Sequence, residues 1–121
     1  MAALHDTTDA TFEHDVVGAA GTVVVDFWAP WCGPCVALTP HLERMASKLP
    51  PDVRIVKLDV DSESAVASRL RVRGLPVLIA FRAGAEIARI HGVKSPGEVE
   101  RWLRSLADGR SHEIDAPARP Q

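Results

Sequence analysis

Cys32 and Cys35 are the only cysteines of the chain, and Gly33 and Pro34 stand between them in the stretch Trp31-Cys32-Gly33-Pro34-Cys35. Two thiols at that spacing can cycle between a dithiol and a disulfide, because the second sulfur reaches any bond the first one makes. The stretch follows an apolar run and opens a helical pattern, which puts Cys32 at a helix N-terminus. Unpaired backbone N–H groups and the helix dipole favour an anion there, so the Cys32 thiolate can attack a disulfide near neutral pH. Cys35, about one turn later, can attack the resulting mixed disulfide and release the reduced product. Pro34 suits a first helical turn and stiffens the loop, while Gly33 keeps bulk away from the sulfurs. Two other chemistries fit the same pair. A structural zinc needs four ligands; histidines would have to complete the set, and His41 and His91 stand in no paired ligand spacing. An inert structural disulfide is the other, although so small a ring does little for a fold.

A carboxylate lies just upstream. Thr22 to Trp28 reads TVVVDFW, with Asp26 inside a run of apolar and β-branched residues. Such a run without polar alternation is the mark of a central strand buried on both faces. The alternative is an acid at a strand edge, pointing to solvent.

Composition limits what the dithiol can serve. With 121 residues, 46% of them apolar and 25% charged, the chain reads as one soluble domain large enough for a core without staples. A net charge of −2 provides no basic field for a nucleic-acid backbone. No apolar run approaches the length of a membrane span. The first fifteen residues, MAALHDTTDATFEHD, lack both a basic segment and an apolar one. A secretory signal is therefore not expected, and the expected location is cytoplasmic.

The elements that must position these groups alternate along the chain. Phe12 and Val16, four apart in TDATFEHDVVGAA, predict a short amphipathic helix capped by Thr8 or Asp9. After the Thr22–Trp28 strand, Leu38, Leu42, Met45 and Leu49 set a helix over 34–49, with a kink expected at Pro40. Val53 to Val60 is a strand and Ser62 to Leu70 a short helix. Pro76 to Phe81 and Ala85 to Gly92 form an antiparallel hairpin around Gly84. Ser95-Pro96-Gly97-Glu98 is a capping box with proline at the first helical position, and Val99, Trp102, Leu103 and Leu106 make the inward stripe of the last helix, with Gly109 just past its end. The order implies an α/β fold with a central mixed sheet and helices on both faces. The domain is expected over 1–107, and a flexible C-terminal tail, rich in Pro, Ala and charge, over 108–121.

The segment VDFWAPWCGPC resembles the active-site signature of the thioredoxin family. The likeness continues through Pro40, KLDVD at Lys57 to Asp61, RGLP ending at Pro76, the Phe81 to Gly84 turn and Gly92, and it spans about Thr7 to Leu106. The resemblance implies the thioredoxin fold, with Cys32 as nucleophile and Cys35 as resolving thiol. It also implies that Asp26 is a buried acid beneath the pair, with Lys57 nearby. Burial raises the pKa of a carboxylate, so Asp26 could exchange a proton while Cys35 changes state. For Lys57 the charge alternation along VRIVKLD equally fits an exposed face. The family implies a cis peptide before Pro76, with Leu75 offering its backbone to an extended substrate segment. Trp31, Gly33, Leu75, Pro76, Gly92 and Val93 would form an apolar docking rim, although Leu75 and Val93 also suit ordinary packing. Trp28 is expected behind the site and Trp102 in the core. The chain departs from the family at Val77 (usually Thr), at His91 (usually apolar) and at Val36 (often basic). Those departures bear on partner preference.

The resemblance therefore implies a protein disulfide reductase that binds no cofactor itself. Electrons would come from NADPH through a flavoprotein thioredoxin reductase. Disulfide-containing proteins would be its substrates, with no nucleic-acid or membrane partner, and a monomer is expected. The alternatives are a disulfide oxidase or isomerase, against which Gly33-Pro34 argues, and a binding module that uses the rim alone.

Overall fold

The computed structural model describes residues 4–108. Five strands form one mixed sheet: β1 (His5–Asp6), β2 (Thr22–Trp28), β3 (Val53–Asp59), β4 (Val77–Arg82) and β5 (Ala85–His91), in the order β1-β3-β2-β4-β5. β2 runs parallel to β3 and antiparallel to β4, and β4 and β5 make the expected antiparallel hairpin. The helices are α1 (Gly33–Ala46), α2 (Ala65–Arg69) and α3 (Pro96–Ala107), and a π-helical turn spans Glu13–Val17. Among the described residues no helix is long and apolar enough to cross a membrane.

β2 explains the two-sided core. Alternate side chains of a strand point to opposite faces, and here both faces are covered. Val23, Val25 and Phe27 pack with Phe12, Val16 and Val66 from the π-helical turn and α2. Val24 packs on the other face with Leu42 and Met45 of α1 and with Val99, Trp102, Leu103 and Leu106 of α3. The unbroken apolar run is thus the signature of a central strand between two helical layers, as the α/β reading requires. Phe27 and Trp102 are fully buried, and truncating either to alanine should cost about 3–5 kcal/mol.

α3 begins as its sequence dictates. Ser95 Oγ accepts from the Glu98 N–H at 3.2 Å, and Glu98 Oε1 accepts from the Ser95 N–H at 3.1 Å. Its last turn is held by Arg82, whose guanidinium donates to the Leu106 carbonyl at 3.2 Å and to Thr22 Oγ1 from β2. Gly109 and the rest of the expected tail lie outside the described residues. In the hairpin turn both Ala83 (φ 53°) and Gly84 (φ 79°) are left-handed, the requirement of a two-residue turn that matches strand twist.

Several boundaries and one cap differ from the sequence reading. β1 was not expected; only two residues long, it pairs with β3 at Val56 and Lys57, and its sequence carries no strand pattern. The first helix is a π-helical turn with no side-chain cap. Thr8 Oγ1 accepts from the Thr11 N–H instead. Asp9 caps a different helix: its carboxylate accepts from the N–H groups of Ala65 and Val66 at 3.0 and 2.9 Å. Glu63 returns the bond, accepting from the Asp9 N–H at 2.8 Å. This is the geometry of a capping box assembled from two distant segments. α2 starts at Ala65 rather than Ser62, and α1 continues through Pro40 and ends at Ala46, with Leu49 beyond it still packed on the core.

Candidate active site

β2 ends at Trp28, and the chain then turns through Ala29 into α1, so the C-terminal end of the strand delivers the cysteine pair to the start of a helix. Cys32 is the N-cap residue, in extended conformation (φ −88°, ψ 101°), and its Sγ accepts from the Cys35 N–H at 3.3 Å. The Cys32 N–H is fixed in turn on the Ala29 carbonyl at 3.1 Å. The two cysteines are joined as a disulfide with Cα atoms 5.3 Å apart, so this is the oxidised state. The sulfurs are not equivalent. Cys32 retains 5% exposure and Cys35 none, which leaves Cys32 as the one an incoming group can reach. Among the described residues no cluster of three or more His, Cys, Asp or Glu is placed to hold a metal ion.

Asp26 is fully buried in β2, and neither carboxylate oxygen has a hydrogen-bond partner. It lies on the same face of β2 as Val24, towards α1. Burial pushes its pKa up from 3.8 to about 7, and the positive charge of Lys57 opposes the rise. A carboxyl poised there can take up or release a proton at neutral pH. Lys57 is directly opposite Asp26 in the parallel β2–β3 pairing. Its ammonium lies 4.5 Å from the centre of the Trp28 ring, a cation–π contact that holds the charge beside the acid. Trp28 itself packs against the cysteine pair, and its indole Nε1 is buried without a partner.

The remaining residues of the expected rim converge from separate elements. The Leu75–Pro76 peptide is cis, and the Pro76 carbonyl accepts from the Gly92 N–H at 2.8 Å, with Gly92 at φ 75°. Leu75 packs against the cysteine pair. An apolar hollow of about 30 Å³ is lined by Pro34, Leu38, Pro76, Gly92 and Val93 among others. Trp31 is 68% exposed and Val93 71%, so Val93 is no core residue. Gly33 has open space where a side chain would stand.

Three contributors were missed in the sequence. Val36, read only as an absent positive charge, is the third large apolar side chain left exposed among the described residues, 49% accessible in the first turn of α1. Asp61 accepts from the Trp31 indole N–H at 2.9 Å and so holds the exposed ring in place. Val60 packs against the cysteine pair, its N–H bonded to the Trp28 carbonyl at 2.9 Å. For Val60 and Asp61 the available signal was their position at the end of a strand that runs parallel to β2, where ligand-facing loops gather in α/β sheets. Val77, buried in β4, and His91, exposed at the end of β5, border this region.

Known proteins share this arrangement of sequence. The Thioredoxin family model matches residues 3–105. A thioredoxin from Mycobacterium tuberculosis (strain ATCC 25618 / H37Rv) is 42% identical over 101 residues, 84% of each chain. Thioredoxin 1 of Nostoc sp. (strain PCC 7120) is 36% identical over 92 residues, 76% of this chain and 86% of that one. The bifunctional thioredoxin reductase/thioredoxin of Mycobacterium leprae is 40% identical over 103 residues, which cover 85% of this chain and 22% of that longer protein. A mixed five-stranded sheet, a cysteine pair at the start of α1 and these relatives agree: the chain belongs to the thioredoxin family, and Cys32–Cys35 is the redox-active disulfide of a protein disulfide reductase.

Proposed function

We propose that the reduced chain transfers two electrons to a target disulfide in two exchange steps. The Cys32 thiolate attacks one target sulfur; the target S–S bond breaks, a Cys32–target bond forms, and the other target sulfur leaves as a thiolate. Cys35 then gives its proton to the Asp26 carboxylate and attacks Cys32 Sγ. The mixed disulfide breaks, the target departs as a dithiol once protonated, and the Cys32–Cys35 disulfide forms. The observation that carries this division of labour is the difference in access, with Cys32 retaining 5% exposure and Cys35 none, together with a fully buried Asp26 that has no hydrogen-bond partner. Lys57 tunes Asp26 through its charge.

Target segments dock on Trp31, Val36, Leu75 and Val93. Among the described residues the Leu75 backbone N–H and C=O make no backbone hydrogen bond, which leaves them for a partner strand. Re-reduction comes from a thioredoxin reductase drawing on NADPH. A relative whose name joins the two activities in one polypeptide supports that pairing. The protein works as a monomer in the cytoplasm, where reducing conditions return the pair to its dithiol form.

NADPH-coupled reduction of insulin disulfides with a thioredoxin reductase tests the reading. Wild type should be active, Cys32→Ser inactive, and Cys35→Ser should stop at a covalent mixed disulfide visible by mass spectrometry. Activity retained in Cys32→Ser, or a trapped adduct on Cys35 instead of Cys32, would overturn it.

A further inference from the structure

The loop between α2 and β4 brings positive charge to the edge of the docking rim. Val72 is the loop's anchor: its side chain packs on the core and its N–H bonds the Ala67 carbonyl at 2.9 Å. The residues on either side, Arg71 and Arg73, are both exposed. Among the described residues neither guanidinium has a hydrogen bond or ion pair. Among the other described arginines, Arg89 is engaged on Glu86, Arg104 on Glu100, Arg82 on Thr22, Arg44 on His41 and Arg69 over the Phe12 ring, while Arg54 and Arg101 are likewise without a hydrogen bond or ion pair. Arg71 is also held at φ 59°, a left-handed conformation that costs a residue with a β-carbon about 1–2 kcal/mol. That conformation closes α2 in a Schellman ending, with the Arg71 N–H on the Ser68 carbonyl at 3.1 Å and the Val72 N–H on the Ala67 carbonyl, and it fixes where the two arginines leave the helix. Gly74, at φ 70°, then turns the chain into Leu75, which touches the cysteine pair. At 3.8 Å per residue the Arg73 Cα lies within about 8 Å of the Leu75 Cα. That is within the screening length of physiological salt, about 8 Å.

Asp61, which accepts from the Trp31 indole N–H, adds a carboxylate to the rim. The loop that leads into Leu75 is nonetheless locally basic, within a chain whose net charge is −2. We infer that this site selects disulfide partners with carboxylates beside the attacked cysteine, oriented so that those carboxylates face Arg71 and Arg73. The inference rests on the docking surface proposed above and names the chemistry of what docks there. Complementary charge of this kind raises the association rate and fixes orientation more than it adds final affinity.

The test uses the DTT-reduced full chain, freed of reductant, and three disulfide peptides of one sequence, differing only in Glu, Gln or Lys flanks. Second-order reduction rates are read by stopped-flow tryptophan fluorescence. Wild type should favour the Glu-flanked over the Lys-flanked peptide by about tenfold at low salt, a preference that collapses in 0.5 M salt. In Arg71→Gln/Arg73→Gln the Glu/Lys rate ratio should fall by about three- to tenfold, and Arg71→Glu/Arg73→Glu should invert it. Arg54→Gln, on β3 away from the site, should leave the ratio as in wild type. Because each variant is referred to its own rate on the Gln-flanked peptide, loss of folded protein rescales all rates and spares the ratio. A wild-type ratio near one, or the same ratio in the double Gln variant, overturns the inference. Failure to reduce any of the peptides would instead overturn the disulfide-reductase mechanism beneath it.

Discussion

Replacing Asp26 by alanine should stabilise the oxidised protein, by an amount that grows as the pH rises. The carboxyl is fully buried and unpartnered, and burial raises its pKa from 3.8 to about 7 against the pull of Lys57. Below pH 3.8 it is protonated in folded and unfolded chains alike, and its ionisation contributes nothing. Between 3.8 and about 7 the unfolded chain has released the proton that the folded chain still holds, so stability falls by about 1.4 kcal/mol per pH unit. Above that window the folded protein carries the whole penalty of a buried charge, about 4 kcal/mol. Alanine removes this slope and adds a cavity cost that does not depend on pH. Urea unfolding followed by tryptophan fluorescence, at half-unit steps from pH 4 to pH 8.5, gives both curves. The gain of Asp26→Ala over wild type should widen by about 4 kcal/mol across that range and level off above neutrality. Two curves that run parallel would refute the argument, since they would mean that Asp26 titrates alike in both states.

Two further predictions concern the scaffold. Asp9→Ala should lower stability by about 1–2 kcal/mol, because it removes the acceptor for two N–H groups at the start of α2. Ser64→Ala, at the N-cap position of α2, should be near neutral, since that hydroxyl makes no capping bond; thermal unfolding of both variants would show the reverse order if the cap were local. Ala83→Gly should stabilise the hairpin by about 0.5–1 kcal/mol, because glycine adopts the left-handed turn without strain. A lower midpoint in urea would contradict that account.

The sequence by itself determined whatever rests on near neighbours. The cysteine pair, proline inside the first turn of α1, the Ser95–Glu98 box and the two-faced apolar run around Asp26 all depend on residues within a turn or a strand of each other, and each is present where that pattern puts it. Tertiary structure decided the rest, because the partners lie far apart in the chain. The charge pattern along β3 left Lys57 between an exposed face and the site; the β2–β3 register put it opposite Asp26 and over Trp28. Asp9 belongs to α2 rather than to its own segment only because the N-terminal strand aligns beside β3. The rim depends on the same kind of closure, with the Gly92 N–H bonded to Pro76 and the Trp31 indole bonded to Asp61. A local pattern fixes which face a side chain takes, whereas pairing register and packing between layers fix what that face meets.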